Sequence, residues 1–325
     1  MWSRSNNART SAGTERYNSR VDIAAIVTAL RARLEVVLAA PRGRYRPLLV
    51  DDETVGWVDD DRARRLAAFG DVFVVDERTI RFVEELVEPS VRTLAVDRVA
   101  RTLAQERLLS AWRNERYAVL GEYGEAPRFE LERAAARYFG IRTFAAHVNG
   151  LVSRNGAARM WIAQRSSRKA IDPGLLDNLV GGGIAAGVSV ATTLVKEAWE
   201  EAGIPETLAA QAQAHGTVHI CRARPDGLQR ETIFVHDLWL DATFTPACQD
   251  GEVVGHRLIT LLDAGALAAN RGGSAVLTAD ASLVIVDCLI RHGIIATDSP
   301  DYAALSSSRY PTLNVDARGS QLTQP

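Results

Sequence analysis

Lysine is nearly absent from this sequence. Among 38 Lys and Arg residues only Lys169 and Lys196 are lysines, a bias read as the arginine preference of a GC-rich genome and not as arginine-specific recognition. Cysteine is scarce as well: Cys221, Cys248 and Cys288 are scattered without metal-ligand spacing. That argues against a disulfide framework and a zinc site and suits a reducing, cytoplasmic compartment. No apolar run is long enough to span a bilayer, because the most hydrophobic stretch near the end, Ala281 to Ile290, is broken by Asp287. Net charge is small too, and −2 over 325 residues argues against a large nucleic-acid footprint.

What remains is a globular chain, 47% hydrophobic and 24% charged, long enough for two domains that each bury a core. Residues 1–20 are rich in Arg, Ser, Asn and Thr with Glu15 the only acid. They faintly resemble an organellar transit peptide, but are read as a disordered tail. Residues 298–325, rich in Ser, Pro and Gln, are read as a second disordered tail.

Between the tails two units are expected. Residues 21–140 read as a smaller α+β domain. Ile23, Ile26, Val27, Leu30, Leu34 and Val37 recur at helical spacing. Arg46 to Trp57 suggests two strands around a polar turn, Asp60 to Phe69 a helix, Phe73 to Val75 and Thr79 to Phe82 a strand pair. Val91 to Trp112 and Phe129 to Phe139 read as helices with a strand, Glu115 to Leu120, between them. From residue 141 to 297 strands dominate. Thr143 to Val152 and Arg159 to Arg165 flank Asn155-Gly156, a strong hairpin signal. Leu175 to Val180 reads as a strand leading into a glycine loop. His215 to Ala223, Glu231 to Leu240 and Arg257 to Leu262 read as further strands, and Ala279 to His292 as a buried helix.

The chemistry concentrates in Gly181 to Ile204, GGGIAAGVSVATTLVKEAWEEAGI. Nothing from Ser189 to Ala202 breaks a helix, Ser189 suits an N-cap, and Gly203 with Ile204-Pro205 supplies a stop. At roughly 100° per residue, Glu200 and Glu201 fall within about 60° of Glu197, while Ala191, Val195, Ala198 and Ala202 gather on the opposite side. Three carboxylates on one face at the negative end of the helix dipole repel one another, and Lys196 offsets only part of that charge. The result is a hard-oxygen site of the kind Mg²⁺ or Mn²⁺ prefers. An acidic helix surface is ordinarily just solvated, and the spacing is what argues otherwise.

That spacing resembles the Nudix box, G-x5-E-x7-R-E-U-x-E-E-x-G-U with U aliphatic, at Gly182, Glu197, Ala198, Glu200, Glu201, Gly203 and Ile204. Val188 stands in place of the first glutamate and Lys196 in place of the arginine, keeping the charge without the guanidinium fork. Further segments are similar to the thiamine-pyrophosphokinase-related branch of the Nudix superfamily: AHVNG from Ala146, LLDNLVGGGIAAG from Leu175, DGEV from Asp250 and LIRHG from Leu289. Trp112 to Glu115 (WRNE) and Glu132 to Ile141 (ERAAARYFGI) resemble the uncharacterised domain that precedes the Nudix fold in that branch. VVGH at Val253 to His256 departs from its usual acidic and aromatic pair.

The resemblance implies a Nudix fold, a mixed β-sheet in an α/β/α sandwich, behind the smaller α+β domain. It implies metal-dependent cleavage of a diphosphate linked to another moiety, with thiamine diphosphate or its oxidised analogues giving monophosphates. Glu200 and Glu201 would be metal ligands with the Gly182 carbonyl, Glu197 a ligand or the base, and Glu252 a further ligand or base. Arg165 and Lys169, in a basic run, would contact phosphate. The expected partners are Mg²⁺, with Mn²⁺ as substitute, and a small diphosphate, with a homodimer left open. Two alternatives stand beside this: a Nudix-fold binding module without turnover, suggested by Val188 and Lys196, and an ADP-ribose or nucleotide-sugar hydrolase.

Overall fold

The computed structural model describes residues 23–39, 41–271, 276–311, 314–315 and 322–323. In chain order the elements are α1 (Ile23–Val37), β1 (Tyr45–Val50), β2 (Glu53–Asp59), α2 (Asp60–Leu66), β3 (Phe73–Val75), β4 (Ile80–Phe82), α3 (Pro89–Gln105), β5 (Arg116–Val119) and β6 (Phe129–Glu132). There follow β7 (Arg142–Arg154), β8 (Ala157–Arg165), β9 (Leu176–Asp177), β10 (Val180–Gly183), α4 (Val190–Ala202), α5 (Glu206–Ala209), β11 (Gln213–Arg224) and β12 (Gly227–Leu240). The chain continues through β13 (Val253–Thr260), α6 (Leu261–Ala268), α7 (Ala279–Arg291) and α8 (Tyr302–Ser308).

The C-terminal unit is a mixed sheet between helices. Its strands run β11-β12-β7-β8-β13, with β10 added to β7 and β9 to β8, and only β12 and β7 pair in parallel. Strand β7 serves both faces by simple alternation. Ala145 and Leu151 pack toward α1, α6 and α7, while Ala146, Val148 and Val152 pack toward α4. The small buried faces of Ala198 and Ala202 let α4 lie close on β7 and β10.

The N-terminal unit has the sheet β2-β1-β4-β3 and the β5-β6 pair around a separate core of Leu48, Val58, Leu66, Leu103, Phe129 and Phe139. It meets the C-terminal unit at the β11–β12 hairpin. There Arg137 donates to Asp226 at 3.1 Å, and its carbonyl accepts from Leu228 N–H at 2.9 Å. Gly227 at that turn has φ 137° and backs onto the Arg137 carbonyl, so a side chain there is excluded.

Several expectations are corrected. Helix α1, assigned by sequence to the N-terminal domain, packs instead in the C-terminal core, with Ile26, Leu30 and Leu34 against α6 and α7. Residues 129–139 do not form a helix, because Phe129 and Leu131 alternate into the N-terminal core as a strand paired with β5. The alanine-rich run that follows shrinks to one 3₁₀ turn, Arg133–Ala135, capped by the Glu132 carboxylate. Helix α3 ends at Gln105, short of Trp112, since Arg107 takes a left-handed backbone at φ 61°. Strand β13 begins earlier than expected and stops at Thr260, where a capping box with Asp263 starts α6.

The C-terminal tail is corrected in part. Among its described residues α8 is folded, Leu305 is fully buried against the C-terminal core, and Asp301 accepts from Thr28 at 2.8 Å and Arg31 at 3.0 Å. The expected N-terminal tail, residues 1–20, lies outside the described residues. Leu305→Ala is expected to destabilise the protein by about 2 kcal/mol, the low end for a buried leucine because the short helix can partly collapse. Urea unfolding checks this, and an unchanged midpoint would argue that α8 contributes nothing.

Candidate active site

Helix α4 starts where Ser189 accepts the Thr192 N–H at 3.0 Å and stops where Gly203 turns left-handed at φ 64°. Both ends are as the sequence implies. The glycines before it are not a loop, however: Gly181, Gly182 and Gly183 form β10 with extended backbone, paired to His147, Ala146 and Ala145. Glycine is required here by crowding. A Cβ on Gly182 would overlap Glu197 Cγ and Cδ, one on Gly183 would overlap the Tyr117 hydroxyl, and one on Gly181 would lie 2.9 Å from the His147 ring. Glu197 therefore lies directly on the β10 backbone. Gly182→Ala is expected to push Glu197 aside and lower kcat/KM by roughly 10²-fold, the scale of a 1 Å misplacement, and a variant with native kinetics would sink this reading of the glycine.

The three helix carboxylates occupy different environments. Glu201 is buried, on the same side of the helix as Ala198 and Leu194, so the acidic face is not wholly solvent-facing. Its carboxylate accepts the Gly181 N–H at 2.9 Å and the Lys169 ammonium at 3.2 Å. Burial nevertheless pushes its pKa up to about 7. Burial also raises Glu197, against the pull of Lys196. Glu200 is partly exposed, and Lys196 bridges it and Glu197 at 2.6 and 3.1 Å.

Glu252 joins them from the loop that follows β12. The loop that carries it is tied back to α4, with Ala247 N–H on the Ala202 carbonyl at 3.0 Å and Gln249 N–H on the Glu200 carbonyl at 2.7 Å. These bonds also satisfy carbonyls that the end of a helix leaves open. Lys169 then links Glu252, at 2.5 Å, to Glu201. Burial works against the Lys169 charge, but Glu201 and Glu252 outweigh it and hold its pKa above the ordinary lysine value. The only two lysines in the chain thus both sit as cations between carboxylates of this cluster.

Arg165, expected with Lys169 as a phosphate contact, lines the cavity as Lys169 does, and its guanidinium is also bonded within the protein. Its three guanidinium nitrogens donate to the Asp172 carbonyl at 3.2 Å, Asp177 at 2.9 Å and the Ile171 carbonyl at 2.9 Å. Its fork is committed to shaping the 166–175 loop that presents Lys169. Val188 lines a separate, more apolar hollow of about 280 Å³ with Tyr117, Tyr123, Phe144 and Ile184.

The carboxylates open into a cavity of about 330 Å³. One side is Gly181 to Gly183, Glu197, Glu200 and Glu252, and the facing side is Arg113, Glu115, Arg133 and Arg137 from the N-terminal unit. Those arginines were not singled out by sequence. Their signal was present only as the WRNE and ERAAARYFGI segments that contain them.

Residues 143–280 match the profile described as the NUDIX domain, and residues 28–143 match a domain of unknown function, DUF4743. Nudix hydrolase 24, chloroplastic, of Arabidopsis thaliana is 37% identical over 267 residues, which cover 81% of this chain and 72% of that protein. The chain belongs to the Nudix hydrolase family. Nudix hydrolase 20, chloroplastic, of the same plant is 35% identical over 81% of this chain and 72% of its own. Among solved structures, DR0079 from Deinococcus radiodurans is 24% identical over 52% of this chain and 97% of that one, with a TM-score of 0.37. This Nudix hydrolase is accordingly an enzyme acting on pyrophosphate bonds, and its family generally needs divalent metal ions.

Proposed function

We propose that this chain is a metal-dependent pyrophosphohydrolase that converts thiamine diphosphate, or an oxidised analogue, to the monophosphate. The observation that carries the reading is the facing of three carboxylates, Glu197, Glu200 and Glu252, with Glu201 buried behind them, and an arginine-bearing wall across one small cavity. Its volume lies at the low end of the roughly 300–1,000 Å³ typical of ligand pockets. Glu115, Asp226 and Asp250 share the lining with the arginines. That mixture supports a ligand that is anionic at one end and cationic at the other, as a thiazolium diphosphate is.

The residues fit a divalent cation. Donors are hard oxygens, and the Lys169 and Lys196 ammoniums already stand between pairs of carboxylates. Glu197, Glu200 and Glu201, with the Gly182 carbonyl, would hold Mg²⁺ or Mn²⁺. Such an ion supplies charge neutralisation at phosphate oxygens and polarises a bound water. Glu201 is kept in place by the Gly181 N–H, and Glu197 by its seat on β10. Glu252 comes from a loop tied to the end of the rigid helix, outside the proposed ligand set, and we assign it the proton of the attacking water. The water oxygen bonds to phosphorus, the bridging P–O bond breaks, and its electron pair leaves with the monophosphate.

The test is turnover of thiamine diphosphate, its oxidised analogue, ADP-ribose and a nucleoside triphosphate, with Mg²⁺ and then Mn²⁺. Selective release of thiamine monophosphate, abolished by a chelator, is the expected result. Preference for ADP-ribose or the triphosphate would overturn the substrate, and chelator-resistant turnover would overturn the metal.

A further inference from the structure

The N-terminal unit has no assigned role, yet it sends one side chain to the carboxylate cluster. Arg113 Nη1 lies 3.8 Å from Glu252 Oε1 and lines the cavity. Its side chain is nearly half exposed and has no closer ion pair than this one, unlike Arg133, which donates to Glu115 at 2.7 Å, and Arg137, which donates to Asp226 at 3.1 Å. Of the three arginines on that wall, Arg113 has the loosest tie.

The backbone beneath it is held with effort. Ala111 and Asn114, which flank it at a distance of two residues and one, take left-handed conformations at φ 62° and φ 57°. Asparagine tolerates that region, but for an alanine it costs on the order of 1–2 kcal/mol, and such strain persists only where the surroundings impose it. The surroundings here do. The Arg113 N–H donates at 3.0 Å to the buried Glu132 carboxylate, which also caps the 3₁₀ turn bearing Arg133. The Trp112 indole donates to Asn114 at 2.8 Å, and the Arg101 guanidinium lies 5.3 Å over its ring. Next along the chain, the Arg116 carbonyl accepts the Ala186 N–H at 2.8 Å, which fixes this loop to the segment leading into α4. A strained, four-way pinned loop that ends in a lightly paired arginine above a carboxylate cluster is costly to keep for one weak ion pair. Exposed pairs of that kind contribute about 0–1 kcal/mol.

We propose that the N-terminal unit completes the active site and that Arg113 is its phosphate-binding residue, gripping non-bridging oxygens of the substrate diphosphate from the side facing Glu197, Glu200 and Glu252. A guanidinium fork matches two phosphate oxygens at once, which an ammonium does not. The assignment rests on the pyrophosphate-cleaving reading of the cavity, but not on which group the diphosphate carries.

The test uses the full chain as wild type, Arg113→Ala and Arg113→Lys. Calorimetry measures Mn²⁺ binding alone, and then binding of imidodiphosphate, a non-cleaved diphosphate, with Mn²⁺ present. Thermal melting monitors the fold, and kinetics use whichever panel substrate the wild type cleaves best. Arg113→Ala is expected to weaken imidodiphosphate by at least tenfold and to raise KM by a similar factor, with Mn²⁺ affinity and melting temperature unchanged. Arg113→Lys should recover only part of that loss. Imidodiphosphate affinity and KM equal to wild type in Arg113→Ala would overturn the proposal, as would a loss explained wholly by a lower melting temperature or weaker Mn²⁺ binding. If the wild type itself neither binds imidodiphosphate nor cleaves any panel member, the diphosphate reading fails and this assignment with it. Cleavage of a substrate other than thiamine diphosphate, with the Arg113 effect intact, would remove the substrate and leave the assignment standing.

Discussion

Glu201→Gln is expected to lower kcat by about 10³-fold while leaving the protein folded, within the range associated with loss of an essential acid, base or ligand. The substitution changes one atom's chemistry and little else. The amide oxygen can still accept the Gly181 N–H, and although the amide nitrogen then faces Lys169 and cannot accept from it, Lys169 keeps its 2.5 Å contact with Glu252, so β10 and the 166–175 loop keep their main support. What is lost is the negative charge on the most deeply buried of the four carboxylates. Stopped assays at saturating substrate and Mg²⁺, paired with circular dichroism and a melting curve, would check it. Near-native kcat would sink the metal assignment, whereas a collapsed melting curve would show Glu201 to be chiefly a partner for Lys169.

Glu201 also shows how far the sequence could be read. Its spacing from Glu197 and Glu200 was enough to place all three on one helix, because a 3.6-residue period and a glycine stop are local properties. The same spacing could not say that Glu201 would be buried. That depends on how tightly Ala198 and Ala202 let α4 close on β10, which is a tertiary matter. Gly181 to Gly183 make the same point: three glycines in a row suggest a turn, but here they mark a strand with neighbours too close for any side chain. The basic run around Arg165 and Lys169 looked uniform, yet packing separates it into an arginine that shapes a loop and a lysine that bridges two carboxylates. Least legible was the far wall. Arg113, Arg133 and Arg137 lie 45 to 69 residues before the start of the Nudix box at Gly182, in segments where no spacing signals chemistry, and only the docking of the two units brings them to the cavity. Helix α1 is the reverse case: its periodicity was clear, but a periodic apolar stripe does not say which core it will join.

A second large effect is expected on the sheet face opposite α4. Arg291→Leu should destabilise the protein by about 3–5 kcal/mol at neutral pH, the usual consequence of stripping the partner from a buried charge. Asp237, on the parallel-paired strand β12, is 2% exposed. It accepts both terminal nitrogens of Arg291 at 2.5 and 2.9 Å and the Asn149 amide at 2.9 Å. Arg291 also donates to Asp287 at 2.7 Å, so one guanidinium joins α7 to the sheet. From Asn149 the chain of polar contacts continues through Asn178 to His147, whose ring backs onto Gly181. Burial alone would raise the Asp237 pKa, but Arg291 and Asn149 reverse that and hold it below the ordinary carboxylate value. A depressed pKa contributes stability above the unfolded value, about 3.9, and that stability is lost as pH falls through the folded one. Without Arg291 the buried carboxylate keeps only the Asn149 amide and the His215 and His292 imidazoles, each with Nε2 3.5 Å from Oδ2, so burial is opposed less strongly, its pKa should rise and protonation should relieve the strain. The stability gap between wild type and Arg291→Leu is therefore expected to be widest near pH 7 and to narrow steadily toward pH 4, as read from urea unfolding at several pH values. A gap that stays constant over that range would mean Arg291 acts through packing against α7 and not through the charge on Asp237.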